Sequence, residues 1–501
     1  MGISDRQAPV LIAVGEASGK SLGLEWPSPV DLASGAVKTA LADSGNTEKL
    51  VDSIDCLLAT RLFYDSGVGH QYGSPDNLPD AIAQASGLNP AQLIYGDVGG
   101  QSPQKYVNEL AVQLHEGKIK AAVICGAESV GTVKRAKKAG HDMDWNQPSD
   151  RDFIDKRSDF AVLTMYEIRH GIISMPMAYG LLENARRKRL DMDRNSYAAD
   201  MAQLWSAFSS VASTREHAQF AKHWSKEELL QDGGGNYRLN DPYRRWMVAQ
   251  DAVALGGAVI MTTAGHAADM GIAEDRMIYL HSGADSSAPI ISEQMDLSRS
   301  PAIDWALAQA LDLAEMQASD IGPIDIYSCF PVAVSLAIEA LNQPDRPLSS
   351  YTLTGGLSFF GGPGNSYSTH AIVALVQALR KDGSKPGMIS ANGGVINKES
   401  VGIYAAQPVA GGWTPDRIAT PNILPPDKGT KPAHFASGNG VIKSYAIPYV
   451  KDVPGAATVW MTDENGTPCF GMLENAPVDT DLIGATVTIS SDGKRNHAVL
   501  K

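Results

Sequence analysis

Side chains that could act as acids, bases or nucleophiles gather in the second half of the sequence. Tyr327 and Cys329 lie where a predicted strand, residues 323–327, turns into a helix, and Tyr367 and His370 begin a later helix. Ligand sites in parallel sheets form at strand ends, so the two tyrosines and His370 could form an acid/base group. With an ordinary pKa of about 10, a phenol serves more readily as an acid than as a base. Buried tyrosines bonded to the backbone are an equally open interpretation.

The cysteines and the other histidines offer less chemistry. A thiolate at Cys329 could be stabilised by a helix N-terminus, but an unpaired cysteine is most often a small buried apolar group, and we favour that interpretation. Cys125 lies inside a hydrophobic strand and is predicted to be core. His217 and His223, six residues apart on a helical stretch, do not share a face. We therefore predict no metal site. Four scattered cysteines without CxxC spacing also fit a reducing cytoplasm.

Two further segments could bind a ligand. From Gly355 to Gly394, two glycine-rich turns precede a helix and a strand, and such turns let a backbone approach an oxyanion closely. They could also be tight turns and nothing more. The adjacent cations Arg186, Arg187, Lys188 and Arg189 could receive phosphates, although a solvated helix face is the more common explanation for such a cluster.

The composition limits the kinds of partner. The chain has 501 residues, 44% of them hydrophobic, and a net charge of -14, which suits a globular protein of two to four domains. An acidic chain lacks the basic field that nucleic acids and anionic membranes require. No run of eighteen apolar residues is present, so we predict no membrane span. A small molecule or another protein is the expected partner.

The elements that would position these residues follow a repeating order. Hydrophobic strands alternate with helical stretches, which predicts parallel β-α-β units. Residues 99–129 and 361–394 share one layout, a double glycine, a helix, a basic turn and a strand ending in glycine, which suggests a duplicated fold. Near the C-terminus, alternating strands with turns at Asn465-Gly466 and Asp492-Gly493 predict a small β-barrel, with an OB-like barrel as the leading candidate.

These patterns divide the chain into segments. The predicted boundaries are 1–130 and 246–275 for the first α/β half, 131–245 for a helical insertion rich in Met, Arg and Trp, 276–406 for the second half, 407–432 for a proline-rich linker, and 433–501 for the barrel.

Over roughly residues 8 to 405 the chain resembles the thiolase superfamily, specifically the sterol-carrier-protein-type thiolases and their thiolase-like relatives. The resemblance implies an α/β fold of two β-α-β-α-β-α-β-β halves in five layers, α-β-α-β-α, with an inserted loop domain that binds coenzyme A. It also implies a homodimer, since thiolases usually pair through their sheets. The additional barrel could block or replace that contact.

The catalytic motifs of the thiolases correspond to altered residues here. The nucleophilic cysteine falls on Gln101, and the motif that thiolases begin with Asn or His starts at Tyr327. The family's Gly-His-Pro motif puts Gly362 at the histidine, and its Cys-x-Gly motif falls on 391–393, with Ala391 at the cysteine. By this resemblance ordinary thiolysis is not expected. A backbone oxyanion hole, from the N–H groups of Gln101 and Gly393, could remain.

The resemblance leaves two functional predictions. Thiolase-like aldolases cleave β-hydroxyacyl-CoA without the cysteine, use tyrosines and act with an OB-fold partner. By analogy Tyr327 would be the general acid/base and Tyr367 would orient the substrate. Asn392 would be the third catalytic residue, and residues 186–189 would bind coenzyme A. The alternative is a non-catalytic protein that binds acyl-CoA or serves as a scaffold.

Overall fold

The computed structural model describes residues 6–66, 69–158, 162–425 and 432–501. Its strands are β1 Pro9–Ser18, β2 Cys56–Ala59, β3 Gln92–Tyr95, β4 Ala121–Glu128, β5 Ile154–Asp155, β6 Asn240–Asp241, β7 Leu255–Thr263, β8 Ile278–Ser287, β9 Ile324–Ile326, β10 Gly387–Gly393, β11 Lys398–Ala405, β12 Asn422–Ile423, β13 Gly438–Val450, β14 Val453–Pro454, β15 Ala457–Asp463, β16 Pro468–Leu473, β17 Thr486–Ser491 and β18 Asn496–Leu500.

The helices all precede the barrel strands. They are α1 Gly19–Leu22, α2 Pro29–Asp43, α3 Thr47–Ser53, α4 Leu78–Ser86, α5 Ser102–His115, α6 Val130–Ala139, α7 Met165–Arg169, α8 Met175–Arg189, α9 Arg194–Ala212, α10 Lys226–Leu230, α11 Ala264–Met270, α12 Pro301–Ala314, α13 Pro331–Leu341 and α14 Tyr367–Lys381. Within the described ranges, no helix is both long enough and apolar enough to cross a membrane.

Two half-sheets repeat the same strand order. The first half runs β3-β2-β4-β7-β1 and the second runs β9-β10-β11-β8. In each half a parallel pair, β2 with β4 or β9 with β10, is followed by two antiparallel pairs. The duplication predicted from residues 99–129 and 361–394 is therefore confirmed. The halves differ at the sheet edge, where a 3-10 turn at Leu348–Tyr351 lies beside β9 and the first half has β3 beside β2.

The halves enclose a central helical layer. α5 and α14 contact each other and strands of both half-sheets, while α2 and α4 cover the outer face of the first sheet, and α12 and α13 lie on the outer side of the second. Residues 367–376 of α14 are all buried because this helix lies between the two half-sheets. The edges of β1 and β8 pair at Val10 with Tyr279, which joins the half-sheets. The predicted five-layer α/β fold is confirmed.

The segment between the first-half elements contains α6 to α10. Its long helices α8 and α9 bury Tyr197, Trp205 and Phe208. It also supplies β5, which lies beside β3 at the sheet edge, and β6, which pairs with β13 of the barrel. The domain boundaries predicted from the sequence remain predictions.

The chain after the second half packs against the sheet before it reaches the barrel. Trp413 is buried and β12 pairs with β8, so the predicted linker follows the α/β body up to residue 425. Residues 426–431 lie outside the described ranges.

The C-terminal strands are neighbours in the order β13-β15-β16-β18-β17. Because β17 also pairs with β13, the sheet closes into a barrel, in which β16 and β18 are parallel. The predicted OB-like barrel is confirmed. It packs on α8, where Asn184 Nδ2 donates to the Tyr445 carbonyl at 2.9 Å.

Candidate active site

The two halves meet at Gln101 and Gly393. Gln101 lies at the N-terminus of α5, and Gly393 ends β10. Their contact is close, because a Cβ placed on Gly393 would lie 1.8 Å from Gln101 Oε1. That oxygen is buried and has no hydrogen-bond partner among the described residues. The two residues predicted to supply oxyanion donors are therefore neighbours, and the amide oxygen of Gln101 fills the space beside Gly393.

Tyr327 lies beside this contact. Its N–H donates to the Ser390 carbonyl at 2.8 Å, which continues the parallel pairing of β9 with β10. Its hydroxyl lies against the turn before α5, since a Cβ on Gly100 would be 2.2 Å from the phenol oxygen. No described residue hydrogen-bonds to this hydroxyl. Burial, and then the nearby Cys329 thiol, raise the pKa of Tyr327 far above its ordinary value. The phenol is neutral near pH 7 and can donate a proton.

Tyr367 supports Tyr327 from inside the protein. The two rings pack edge to face with centroids 5.3 Å apart. The Tyr367 hydroxyl is 2.5 Å from Thr354 Oγ1 and donates to Asp325 Oδ1 at 3.2 Å. Burial raises the pKa of Asp325 to about 6, and its other oxygen accepts the Leu353 N–H at 2.7 Å. Tyr367 is fully buried and its hydroxyl is engaged, so the geometry gives it a supporting position.

Asn392 and Cys329 form the adjoining wall. Asn392 Nδ2 donates to the Tyr179 hydroxyl at 3.3 Å and lies 3.6 Å from Cys329 Sγ. Burial raises the pKa of the Cys329 thiol to about 12. At neutral pH this thiol is protonated and unreactive, in agreement with the interpretation of Cys329 as a buried apolar group. Cys125 is likewise buried in β4.

His370 faces a different part of the molecule. Its Nδ1 is 2.6 Å from Glu16 Oε1 on β1, and both side chains are buried. Burial alone would raise the pKa of Glu16, but the hydrogen bond to His370 and nearby cations lower it below its usual value. Within the described ranges, no cluster of three or more potential metal ligands occurs.

The glycine-rich stretch lies at the meeting point. Asn365 Oδ1 accepts the Gly99 N–H at 2.9 Å, and Ser368 Oγ donates to the Gly100 carbonyl at 2.5 Å. These bonds connect the turn after Gly361 to the turn before Gln101. The structure thus brings together three chain segments, 99–101, 361–368 and 391–393.

The four adjacent cations do not form one cluster. Arg186 and Arg189 both pair with Glu339, at 2.6 and 2.5 Å, while Arg187 pairs with Asp481 of the barrel at 2.8 Å. Lys188 projects outward, with its side chain 55% exposed. Successive residues on a helix are about 100° apart, so four neighbours cannot share one face. The arginines act here as ion-pair partners, two of them for α13 and one for the barrel.

A cavity of about 550 Å³ lies between α8, α9, the segment around β6 and the barrel. Its wall combines cations and two acids with apolar side chains, and it includes Arg187, Arg194, Arg238, Arg244, Asp241, Asp479, Met201, Leu230 and Met247. Arg194 pairs with Asp241, and Arg244 pairs with Asp232 at 3.2 Å. The cavity has room for a ligand with both charged and apolar parts.

Residues of the insertion that hold the Tyr327 turn were not predicted from the sequence. Glu183 of α8 is fully buried and accepts from Tyr197 at 2.5 Å, from Tyr243 at 2.6 Å and from the Val332 N–H of α13 at 2.9 Å. The Tyr179 ring stacks on Phe330, which directly precedes α13. The available signal was the four-residue spacing of Tyr179, Glu183 and Arg187, which places polar residues on one helix face.

No family model matches this sequence, and no curated protein matches it. Solved structures do match. A monomeric SCP2-thiolase like protein type 1 from Mycobacterium smegmatis aligns over 100% of both chains with 29% identity and a TM-score of 0.82. This chain has the SCP2-thiolase-like fold of the thiolase superfamily.

More distant structures share the thiolase fold alone. The Ltp2-ChsH2(DUF35) aldolase aligns with 81% of this chain and 99% of its own at 15% identity, with a TM-score of 0.58. The dimeric peroxisomal thiolase of Saccharomyces cerevisiae aligns with 80% of this chain and 98% of its own at 12% identity, with a TM-score of 0.56.

Proposed function

We propose that this thiolase-like protein binds a coenzyme A thioester and makes or breaks a carbon–carbon bond without a cysteine nucleophile. The observation that carries the proposal is the Tyr327 hydroxyl. It has no hydrogen-bond partner among the described residues, and it lies against Gly100 where the two halves meet. A neutral acid without an internal partner is available to a substrate.

Tyr327 would act as a proton shuttle in cleavage of a β-hydroxyacyl thioester. As the bond between the α- and β-carbons breaks, the β-oxygen loses its proton and becomes a carbonyl, and the electron pair passes to the α-carbon of the thioester. In the same step the phenol would give its proton to the α-carbon while its oxygen takes the proton of the β-hydroxyl, so no other base is needed. The phenol is then regenerated and the protons balance.

The thioester's nucleotide portion requires cationic groups and an apolar surface. We assign it to the cavity lined by Arg187, Arg194, Arg238 and Arg244, because guanidinium groups suit phosphates and Met201 and Leu230 offer apolar contact. Coenzyme A as the ligand, the homodimer and the cytoplasmic location remain predictions.

A non-catalytic acyl-CoA-binding protein is the second candidate. Two observations favour it: the Tyr367 hydroxyl is engaged with Asp325, and Gln101 Oε1 fills the space beside Gly393. In this case the cavity would bind ligand and no thioester would change.

The deciding experiment incubates the full chain with acyl-, β-keto- and β-hydroxyacyl-CoA thioesters and analyses the products by mass spectrometry. We expect conversion of a β-hydroxyacyl thioester, and loss of that conversion in Tyr327→Phe. Tyr351→Phe is the matched control, because Tyr351 is also buried but donates to the Gln343 carbonyl away from the site. Coenzyme A binding without conversion of any thioester would favour the second candidate.

A further inference from the structure

Two polar side chains face each other on the second half-sheet. Side chains alternate along a strand, so Asn392 points to the face opposite Ala391 and Gly393. Its direct partner across the antiparallel pair of β10 and β11 is Glu399. The Cβ atoms of such partners are about 4.5–5.5 Å apart, within reach of a hydrogen bond between these side chains. Glu399 is only 2% exposed and Asn392 only 3% exposed.

Neither side chain is fully hydrogen-bonded. Glu399 Oε1 and Asn392 Oδ1 are buried and have no partner among the described residues. When Glu399 is ionised, both atoms are acceptors and cannot bond to each other. Buried polar atoms without partners are rare in folded proteins, and a buried unpaired charge is the most costly kind. This arrangement therefore needs a donor.

The donors around Glu399 are already used. Asn392 Nδ2 donates toward Tyr179 and Cys329, and the Tyr179 hydroxyl donates to a backbone carbonyl in the turn between β10 and β11. Ser286 lies opposite Glu399 on β8, but its hydroxyl donates to a carbonyl of α12 at 2.9 Å. None of these groups is free to donate to a carboxylate, and the nearby Cys329 thiol, whose pKa Glu399 helps to raise, is only a weak donor.

We propose that Glu399 is a protonated carboxylic acid that donates its O–H to Asn392 Oδ1 and thereby directs the Asn392 amide toward Tyr179 and Cys329. A single proton turns one of the two facing acceptors into a donor. The neighbouring cation, Lys398, belongs to the other face of β11 and pairs with Asp97 at 3.5 Å. Burial also raises the pKa of Glu399 well above its ordinary value, which agrees with the neutral form.

Glu399 would be a positioning residue, since it acts through Asn392 and does not contact the proposed substrate. Its effect on turnover rests on the proposed function, but its protonation and its bond to Asn392 do not. The competing arrangement is an ionised Glu399 that accepts from an Asn392 amide turned by 180°.

Infrared spectroscopy of the full chain separates these arrangements. The wild-type minus Glu399→Gln difference spectrum at neutral pH should contain the carbonyl stretch of a protonated carboxyl, which shifts in D₂O. A carboxylate band in its place would overturn the proposal. Glu109→Gln is the control, because Glu109 forms an ion pair with Lys156 near the surface and should remove a carboxylate band only.

A second variant tests the bond to Asn392. Asn392→Leu removes the acceptor, so the Glu399 carbonyl band should remain and move to the frequency of a non-bonded acid. A band at the wild-type position would overturn the bond. This measurement does not require the Glu399→Gln variant, so it tests the proposal even if that variant does not fold.

Turnover gives a third measurement if a thioester is converted. Glu399→Gln keeps an N–H donor and should retain the rate, whereas Glu399→Leu should lower it about tenfold, the size of one lost hydrogen bond. Equal rates in both variants would overturn the positioning role. A protonated Glu399 without conversion of any thioester leaves this proposal standing and rejects the catalytic function, so the two failures are distinguishable.

Discussion

The phenol oxygen of Tyr327 lies against Gly100 so closely that a Cβ at position 100 would come within 2.2 Å of it. Gly100 belongs to the turn that begins α5 in the first half, and Tyr327 follows β9 in the second half. The contact therefore joins the two halves at the candidate site. Only glycine at position 100, which has no side chain, leaves room for the phenol oxygen.

We expect Gly100→Ala to displace the Tyr327 ring, because the added methyl group overlaps both the phenol oxygen and its ring carbon. Overpacking of this kind costs about 1–3 kcal/mol in the free energy of unfolding, which denaturant titration measures. The cost should fall when Gly100→Ala is made in a Tyr327→Ala background, since the overlapping ring is gone. The same cost in both backgrounds would contradict the contact.

Arg238→Ala should weaken coenzyme A binding about tenfold by calorimetry, the effect of one lost charge-assisted contact in the cavity. Lys188→Ala should have no such effect, because Lys188 projects outward from α8. This pair of variants separates the cavity from the predicted phosphate site at residues 186–189. Weakening by Lys188→Ala but not by Arg238→Ala would return the site to the helix cluster. Lys20→Ala controls for the loss of one surface charge.

The ion pair of Arg187 with Asp481 should help to hold the barrel on α8. Asp481→Asn leaves a guanidinium that is only 3% exposed without its anion, and we expect a loss of about 2 kcal/mol in the free energy of unfolding. Hydrogen exchange should rise in the barrel strands facing α8. Asp479→Asn is the control, since this nearby acid pairs with no described cation. Unchanged stability of Asp481→Asn would exclude this role.

His170 should make the barrel contact sensitive to acid. Its Nδ1 donates to the Tyr166 carbonyl at 2.7 Å, and its Nε2 accepts the Asn496 N–H of β18 at 2.9 Å, so the ring is neutral in the folded protein. Burial lowers the pKa of His170, with Arg495 and His434 acting in the same direction and the Tyr166 carbonyl and Glu167 opposing them.

The sign of the pH effect follows from this lowered pKa. When the pH falls below the unfolded pKa of about 6.5, the unfolded chain binds a proton that the folded protein does not. The free energy of unfolding therefore decreases as the pH is lowered, until the pH reaches the lower pKa of the folded protein. Denaturant titrations at several pH values between neutrality and pH 5 should show this loss, together with faster exchange of the Asn496 amide. In His170→Gln, whose amide oxygen can still accept, the loss should shrink. An equal pH dependence in both proteins would contradict the assignment.

The sequence predicted the elements of the site better than their contacts. α14 was predicted from its apolar spacing at Ile372, Leu375 and Leu379, a local pattern that the structure keeps. The contact of Gln101 with Gly393 joins distant parts of the chain, so no local pattern encodes it. The burial of Glu399 could not be predicted either, because a polar residue in a strand is ordinarily expected on the solvent face. Its burial depends on the strands that lie on both sides of β11.

By itself the sequence determined the duplicated α/β fold and the OB-like barrel, because periodic apolar positions and glycine turns are local properties of the chain. The tertiary structure decided which side chains are free to do chemistry. Burial and partners leave the Tyr327 hydroxyl available, engage that of Tyr367 with Asp325, and separate Arg186 from Arg187 by pairing them with different elements. These outcomes depend on contacts between residues far apart in the sequence, which appear only when the chain is folded.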